Sequence, residues 1–370
     1  MPGGAADPPP PRRFLARLRP GAAARAGEFL AGTGLRRREG LESIGVWILE
    51  ADPGAAAPRL ERTAAADALE WIESDGVARA GSEPNDPCYP AQWHLRTLEG
   101  PAAWELVAGR EPALLAVVDS GVDPAHPDLR GALVPGWNFL KGTRDTSDVL
   151  GHGTSVAGAA AAAANNAVGG AGVAAGVRVM PLVALDANNR ASYSDIARAI
   201  LYAADHGARV INVSLGGSGP SLALDRAVEY AWDRGCLVVA SAMNTGDSTP
   251  HYPAASPRAL AVSATTAAVT PAGFSTYGDW IDFSGPGASI LTTAAGGRYA
   301  WRHGTSFAAP MVSGTLALML AARPRASAEE LVALLEESAE DLGAPGPDPY
   351  FGRGRVHARR AVERAAAGPR

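Results

Sequence analysis

The sequence predicts an α/β fold, a mostly parallel central sheet with helices on both faces, preceded by a small separate α/β unit. Three observations predict it. From about residue 85 onward, short continuous apolar runs alternate with helix-length segments, as in sheets buried on both sides. The candidate functional residues follow directly on those runs, at what would be the carboxyl ends of strands, where such sheets bind ligands. A joint rich in Pro, Asn and Asp, GSEPNDP at 81–87, separates this pattern from a shorter one before it.

Residues 1–20 are polar and proline-rich with no periodic apolar face, and read as a disordered tail. Residues 21–84 form the small unit: GVWILEA (45–51) predicts a strand, AAADALEWIES (64–74) a short helix, DG a turn and VARA (77–80) another strand. In residues 85–370 the strand-like runs are ALLAVVD (113–119), VRVMPLVAL (177–185), ARVINVSL (208–215), CLVVASA (236–242) and ALAVSAT (259–265). Helical segments between them are SVAGAAAAAA (155–164), SDIARAILYAADHG (194–207) and LDRAVEYAWDRG (224–235).

Charged residues are 19% of the 370, the hydrophobic ones 47%, and the net charge is -5, which argues against a nucleic-acid partner. No unbroken run of eighteen strongly apolar residues suggests a membrane span, and the basic, proline-rich N-terminus lacks the apolar core of a secretory signal. Cys88 and Cys236 are the two cysteines, and Cys236 in its apolar run reads as a small buried thiol.

The tetrapeptide HGTS occurs twice, in GHGTSVAG (151–158) and RHGTSFAAPMVSG (302–314), each time placing a potential base three residues before a potential nucleophile. Taken singly, the candidates have plain structural roles. Asp119 in VVDSGVD could brace a turn, His152 could cap a helix starting near Thr154, and Ser306 could be the N-cap before FAAPMVSG. Together they supply what acyl transfer needs: a hydroxyl, an imidazole to take its proton and an acid to fix the imidazole's tautomer.

The motifs AVVDSGVDPAHPDL, GHGTSVAG, INVSLGG and GTSFAAPMVSG, in this order from about Asn85 to about Val362, resemble the subtilisin-like serine proteases, and within them the thermitase-type branch. The resemblance implies a serine endopeptidase with Asp119, His152 and Ser306 as its triad. That order is the family's own. It implies Asn244 as the side-chain oxyanion donor, and leaves Ser155 and His303 as neighbours without a chemical role. It places Ser214, Leu215 and Gly216 on an edge that pairs with extended peptide, and Ser241, Ala242 and Met243 on the opposite wall of the primary pocket. The residue before Asn244 is usually glycine in the family, and is Met243 here.

By the same resemblance Asp86, Asp128 and Asn166 supply oxygen ligands to a structural Ca²⁺, and His126 is a structural hydrogen-bonding histidine. The 43–80 segment resembles the second half of the family's pro-region, an intramolecular inhibitor and chaperone removed by self-cleavage between Val77 and Asn85, while the first half is not recognisable. Protein or peptide substrates are implied, and an extracellular setting is the family's expectation. Other readings fit less well. GAGVAA (170–175) meets a dinucleotide fingerprint but follows no apolar strand, and Arg190 stands where its acid belongs. The esterase motif G-x-S-x-G is missing from the sequence. A catalytically silent subtilisin fold serving as a binding module is the alternative.

Overall fold

The structure, a computed structural model, describes residues 13–51, 68–75 and 83–367. The chain divides into two compact units, residues 1–80 and 81–370, a few residues ahead of the expected boundary at 84/85.

Among the described residues, the first unit is an antiparallel sheet with one α-helix. Its elements are β1 (Arg13–Leu18), α1 (Ala23–Thr33), β2 (Leu35–Leu41), β3 (Val46–Ala51) and β4 (Leu69–Ser74), with strand order β2-β3-β1-β4. Phe29 of α1 closes with Ala16, Leu35, Leu49, Ala51 and Leu69 into a small core. Two expectations are corrected here. The tail expected over residues 1–20 already contains a strand, because β1 pairs with both β3 and β4. The helix expected over 64–74 is a strand from Leu69, since antiparallel pairing with β1 outweighs the helical preference of the Ala/Leu/Glu composition. The expected strand at 77–80 lies outside the described residues.

The second unit carries α2 (Trp93–Thr97), α3 (Gly100–Leu106), β5 (Leu114–Asp119), β6 (Trp137–Asn138), α4 (His152–Ala161), β7 (Arg178–Val183), α5 (Tyr193–Asp205), β8 (Val210–Val213) and α6 (Leu222–Asp233). There follow β9 (Leu237–Ser241), β10 (Ala259–Thr265), β11 (Phe283–Pro286), the hairpin β12 (Ile290–Ala294) and β13 (Arg298–Arg302), then α7 (Thr305–Ala322), α8 (Ala328–Ser338) and α9 (Ala358–Ala367). Seven strands form one parallel sheet in the order β11-β10-β9-β8-β5-β7-β6.

The two-residue period of a strand divides this sheet between two cores. Along β5, Leu115 and Val117 face a core shared with α4, α7 and α9. Ala116 and Val118 face the other, closed by Ile196 and Ile200 of α5 and Leu224 and Val228 of α6. Helix α7 is long and apolar enough to cross a membrane, and all its residues are buried in this unit.

Candidate active site

The three strands nearest the middle of the sheet, β9, β8 and β5, are neighbours, and each delivers a candidate residue at its carboxyl end. Asp119 is the last residue of β5, Ser214 follows β8, and Asn244 lies just past β9. Helices α4 and α7 bring the other two candidates. His152 opens α4 and Ser306 is second in α7, so neither is the N-cap expected from the sequence; Gly151 and Gly304 hold those positions.

Asp119 is fully buried, and its Oδ1 and Oδ2 lie 2.8 and 3.0 Å from His152 Nδ1, while the Ser120 amide also donates to Oδ1. With a proton held on Nδ1 by this pair, Nε2 is the ring nitrogen left to accept one. Glycine after the histidine permits this approach: a Cβ on Gly153 would meet the Gly121 carbonyl at 2.1 Å and Asp119 Cβ at 3.0 Å. Burial opposes a charge on the His152 ring, but the Asp119 charge and hydrogen bond, helped by Asp148, outweigh it together with Arg302, so the ring titrates above the ordinary histidine value.

Sequence reasoning missed Asp148. Its Oδ1 accepts from the Leu150 and Gly151 amides and the Ser120 hydroxyl, and its Oδ2 from the Thr154 amide, which satisfies the first turn of α4 and fixes His152. An acid four residues ahead of a helix start is the signal that could have found it.

The nucleophile candidate is tied to the sheet from behind. Pro310 lies within α7 and has no N–H to return to the carbonyl of Ser306, four residues earlier. That carbonyl accepts instead from Ser214 Oγ at 3.0 Å, and Ser306 Oγ donates to the Ser214 carbonyl at 3.2 Å. Behind them Asn212 Nδ2 donates to Ser214 Oγ and Ser313 Oγ donates to Asn212 Oδ1, a buried polar chain with its members paired.

Asn244 Oδ1 accepts from the Thr305 amide at 2.9 Å and the Thr305 hydroxyl at 3.1 Å, which fixes the side chain at the start of α7. Met243 adopts φ 74°, the left-handed region that glycine favours. The Met243 Sδ lies 3.8 Å from Ser241 Oγ and 3.7 Å from where a Cβ on Gly216 would stand.

A cleft of about 390 Å³ runs along these residues, with Leu185, Tyr193, Ser214, Leu215, Gly216, Met243, Asn244, His152 and Ser306 in its walls. Ser241 and Ala242 are not in the lining. They are buried at the end of β9, so this wall is made by Met243 alone of the three expected residues. Among the described residues no backbone hydrogen bond reaches Leu215 or Gly216, while Gly217 pairs with Tyr252.

Away from the cleft, Asp86 and Asp128 are both 1% exposed. Asp86 accepts from the Asn165 and Asn166 amides, and Asp128 from Asn166 Nδ2, the Gly170 amide and the Tyr299 hydroxyl. Among the described residues neither has a Lys or Arg partner, and no group of three His, Cys, Asp or Glu side chains is arranged to hold a metal. Both His126 nitrogens are used, one toward the Arg298 carbonyl and one accepting from the Asp128 amide. Cys88 and Cys236 are free thiols.

The chain is similar to known proteins over most of its length. The sequence model of the Subtilase family matches residues 111–354. A thermophilic serine proteinase of Bacillus sp. (strain AK1) is 42% identical over 295 residues, 80% of this chain and 73% of that protein. Thermitase of Thermoactinomyces vulgaris is 40% identical over 281 residues, 76% of this chain and 99% of that protein. Among solved structures, a protease of Pseudoalteromonas arctica superposes with a TM-score of 0.70 at 31% identity, covering 77% of this chain and all of that one.

Proposed function

The chain belongs to the subtilase family and is a subtilisin-like serine endopeptidase, and we propose that it cleaves peptide bonds through an acyl-enzyme on Ser306. The observation that carries this assignment of residues is the buried Asp119 carboxylate 2.8 Å from Nδ1 of His152, whose ring shares one cleft with Ser306. Ser306 Oγ bonds to the substrate carbonyl carbon as its proton passes to His152 Nε2. The C–N bond then breaks and the same proton goes to the leaving amine. Water, deprotonated by His152, attacks the ester and restores Ser306. The negative oxygen of each tetrahedral intermediate is met by Asn244 Nδ2 and the Ser306 amide at the positive end of α7. For this step the Ser306 hydroxyl, which donates to the Ser214 carbonyl, must turn toward His152.

Protein or peptide chains are the substrates. Leu215 and Gly216 offer the open edge for them, and Met243 fills part of the primary pocket. The antiparallel unit at 13–75 acts as the chain's own inhibitor and folding aid, supported by its separation as a compact unit ahead of the peptidase unit. Calcium would be held by Asp86, Asp128 and Asn166 completed by loop carbonyls, supported by two buried carboxylates that bind the 165–170 loop and have no basic partner among the described residues. When bound, it supplies positive charge that ties this loop down.

Fluorophosphonate labelling followed by intact mass tests the reading. The wild-type chain should shorten across 77–85 and take one label, while Ser306→Ala stays full length and unlabelled. An unlabelled wild type would favour the silent binding module instead.

A further inference from the structure

Asp128 is bound from two directions. Asn166 Nδ2 donates to its Oδ1 at 2.8 Å from the 165–170 loop, and the Tyr299 hydroxyl donates to its Oδ2 at 2.9 Å from β13. Asp86, by contrast, accepts from the Asn165 and Asn166 amides of the loop. The Tyr299 ring also lies on the loop backbone, because a Cβ on Gly169 would overlap the ring and its hydroxyl. His126 braces the same corner. Its ring meets the Tyr299 ring edge-on at 5.3 Å, its Nε2 lies 3.0 Å from the Arg298 carbonyl, and its Nδ1 accepts from the Asp128 amide.

The strand that carries Tyr299 reaches both catalytic helices. Tyr299 pairs with Thr293 across the hairpin of β12 and β13. Thr293 Oγ1 donates to the Thr154 carbonyl at 2.6 Å and Thr292 Oγ1 to the Ser155 carbonyl at 3.0 Å, just past His152 on α4. A Cβ on Gly158 would overlap Thr293, so this helix lies directly on the hairpin. At its far end β13 stops at Arg302, and the chain turns at once into α7 and Ser306.

We propose that Tyr299 is a positioning residue that links the calcium site to the catalytic pair. Its hydroxyl holds Asp128 in the orientation the cation needs, and its strand passes that restraint to α4 and α7. This rests on the calcium reading of Asp86, Asp128 and Asn166. A donor behind a ligating carboxylate fixes its orientation and leaves lone pairs for the metal, and losing such a partner weakens metal affinity about 10- to 100-fold. By linkage, a hairpin placement that favours the cation is itself favoured when the cation is bound.

The test uses the protein as expressed and calcium itself. Calorimetric titration is made on metal-free Ser306→Ala, which lacks the nucleophile, with and without Tyr299→Phe, a change that keeps the ring on Gly169 and removes the hydroxyl. The Phe variant should bind calcium about tenfold more weakly. A hydrogen bond of purely structural value would lower the melting temperature and leave this affinity alone. Fluorophosphonate labelling of Ser306 is then timed in the wild type and in Tyr299→Phe, in calcium saturating for each and in chelator, below the melting temperature in chelator. The wild type should label about fivefold faster with calcium, and in Tyr299→Phe that ratio should fall to about one. Equal or tighter binding by the Phe variant, a wild-type labelling rate indifferent to calcium, or a ratio unchanged in Tyr299→Phe overturns the proposal and leaves the calcium site standing. No calcium binding by the Ser306→Ala chain would overturn the calcium reading, and the proposal with it.

Discussion

Ser214 and Ser306 exchange hydrogen bonds, hydroxyl to carbonyl in each direction, at 3.0 and 3.2 Å. The exchange exists because Pro310 leaves the Ser306 carbonyl without its helical partner, and it fixes the start of α7 against the strand end that faces substrate. Ser214→Ala should strand that carbonyl and Asn212 Nδ2 together. The expected loss is about 1–3 kcal/mol in denaturant unfolding, and an unchanged midpoint would show that the network contributes nothing to stability.

The raised titration of His152 sets the direction of the pH dependence. Catalysis needs the neutral ring, so kcat/KM should rise with pH to a midpoint above the ordinary value of about 6.5. Arg302→Gln removes an opposing charge and should move the midpoint up, whereas Asp148→Asn should move it down. For stability the sign is the reverse: a raised native value contributes below the unfolded value and is lost as pH rises through the native one. The enzyme thus becomes active where it gives up this contribution. Midpoints that do not respond to either variant would detach both residues from the ring.

Met243 Sδ stands between Ser241 Oγ and Gly216 in the cleft, and under the proposed function it shortens the primary pocket. Substrates with small or medium apolar residues before the scissile bond (P1) should be preferred over Phe or Tyr. Met243→Gly should shift kcat/KM toward the aromatic residues by about 1–3 kcal/mol. Coincident P1 profiles for the two proteins would place the side chain outside the substrate's reach.

Calcium, if held at Asp86, Asp128 and Asn166, stabilises the folded chain by mass action. Chelator should lower the melting temperature of the wild type, and Asp128→Ala should melt lower and no longer respond to it. A melting curve indifferent to chelator, in protein shown to be free of metal, would remove the site.

The sequence by itself determined a mostly parallel sheet, five of its strands with the helices between them along the chain, and the residues at their carboxyl ends. Each of these depends on local periodicity or on a short motif: continuous apolar runs for β5, β7, β8, β9 and β10, and the two HGTS segments for His152 and Ser306. What only the tertiary structure decided depends on partners distant in the chain. Residues 13–18 and 69–74 are strands because they pair with each other, although one looks like a tail and the other like a helix. Asp148 matters through the amides of a helix it precedes, and Ser214 through a carbonyl that a proline frees 92 residues away. Arg302 and Ser155 are separated by 147 residues and meet only because α4 packs against the hairpin of β12 and β13, which no window of sequence could show.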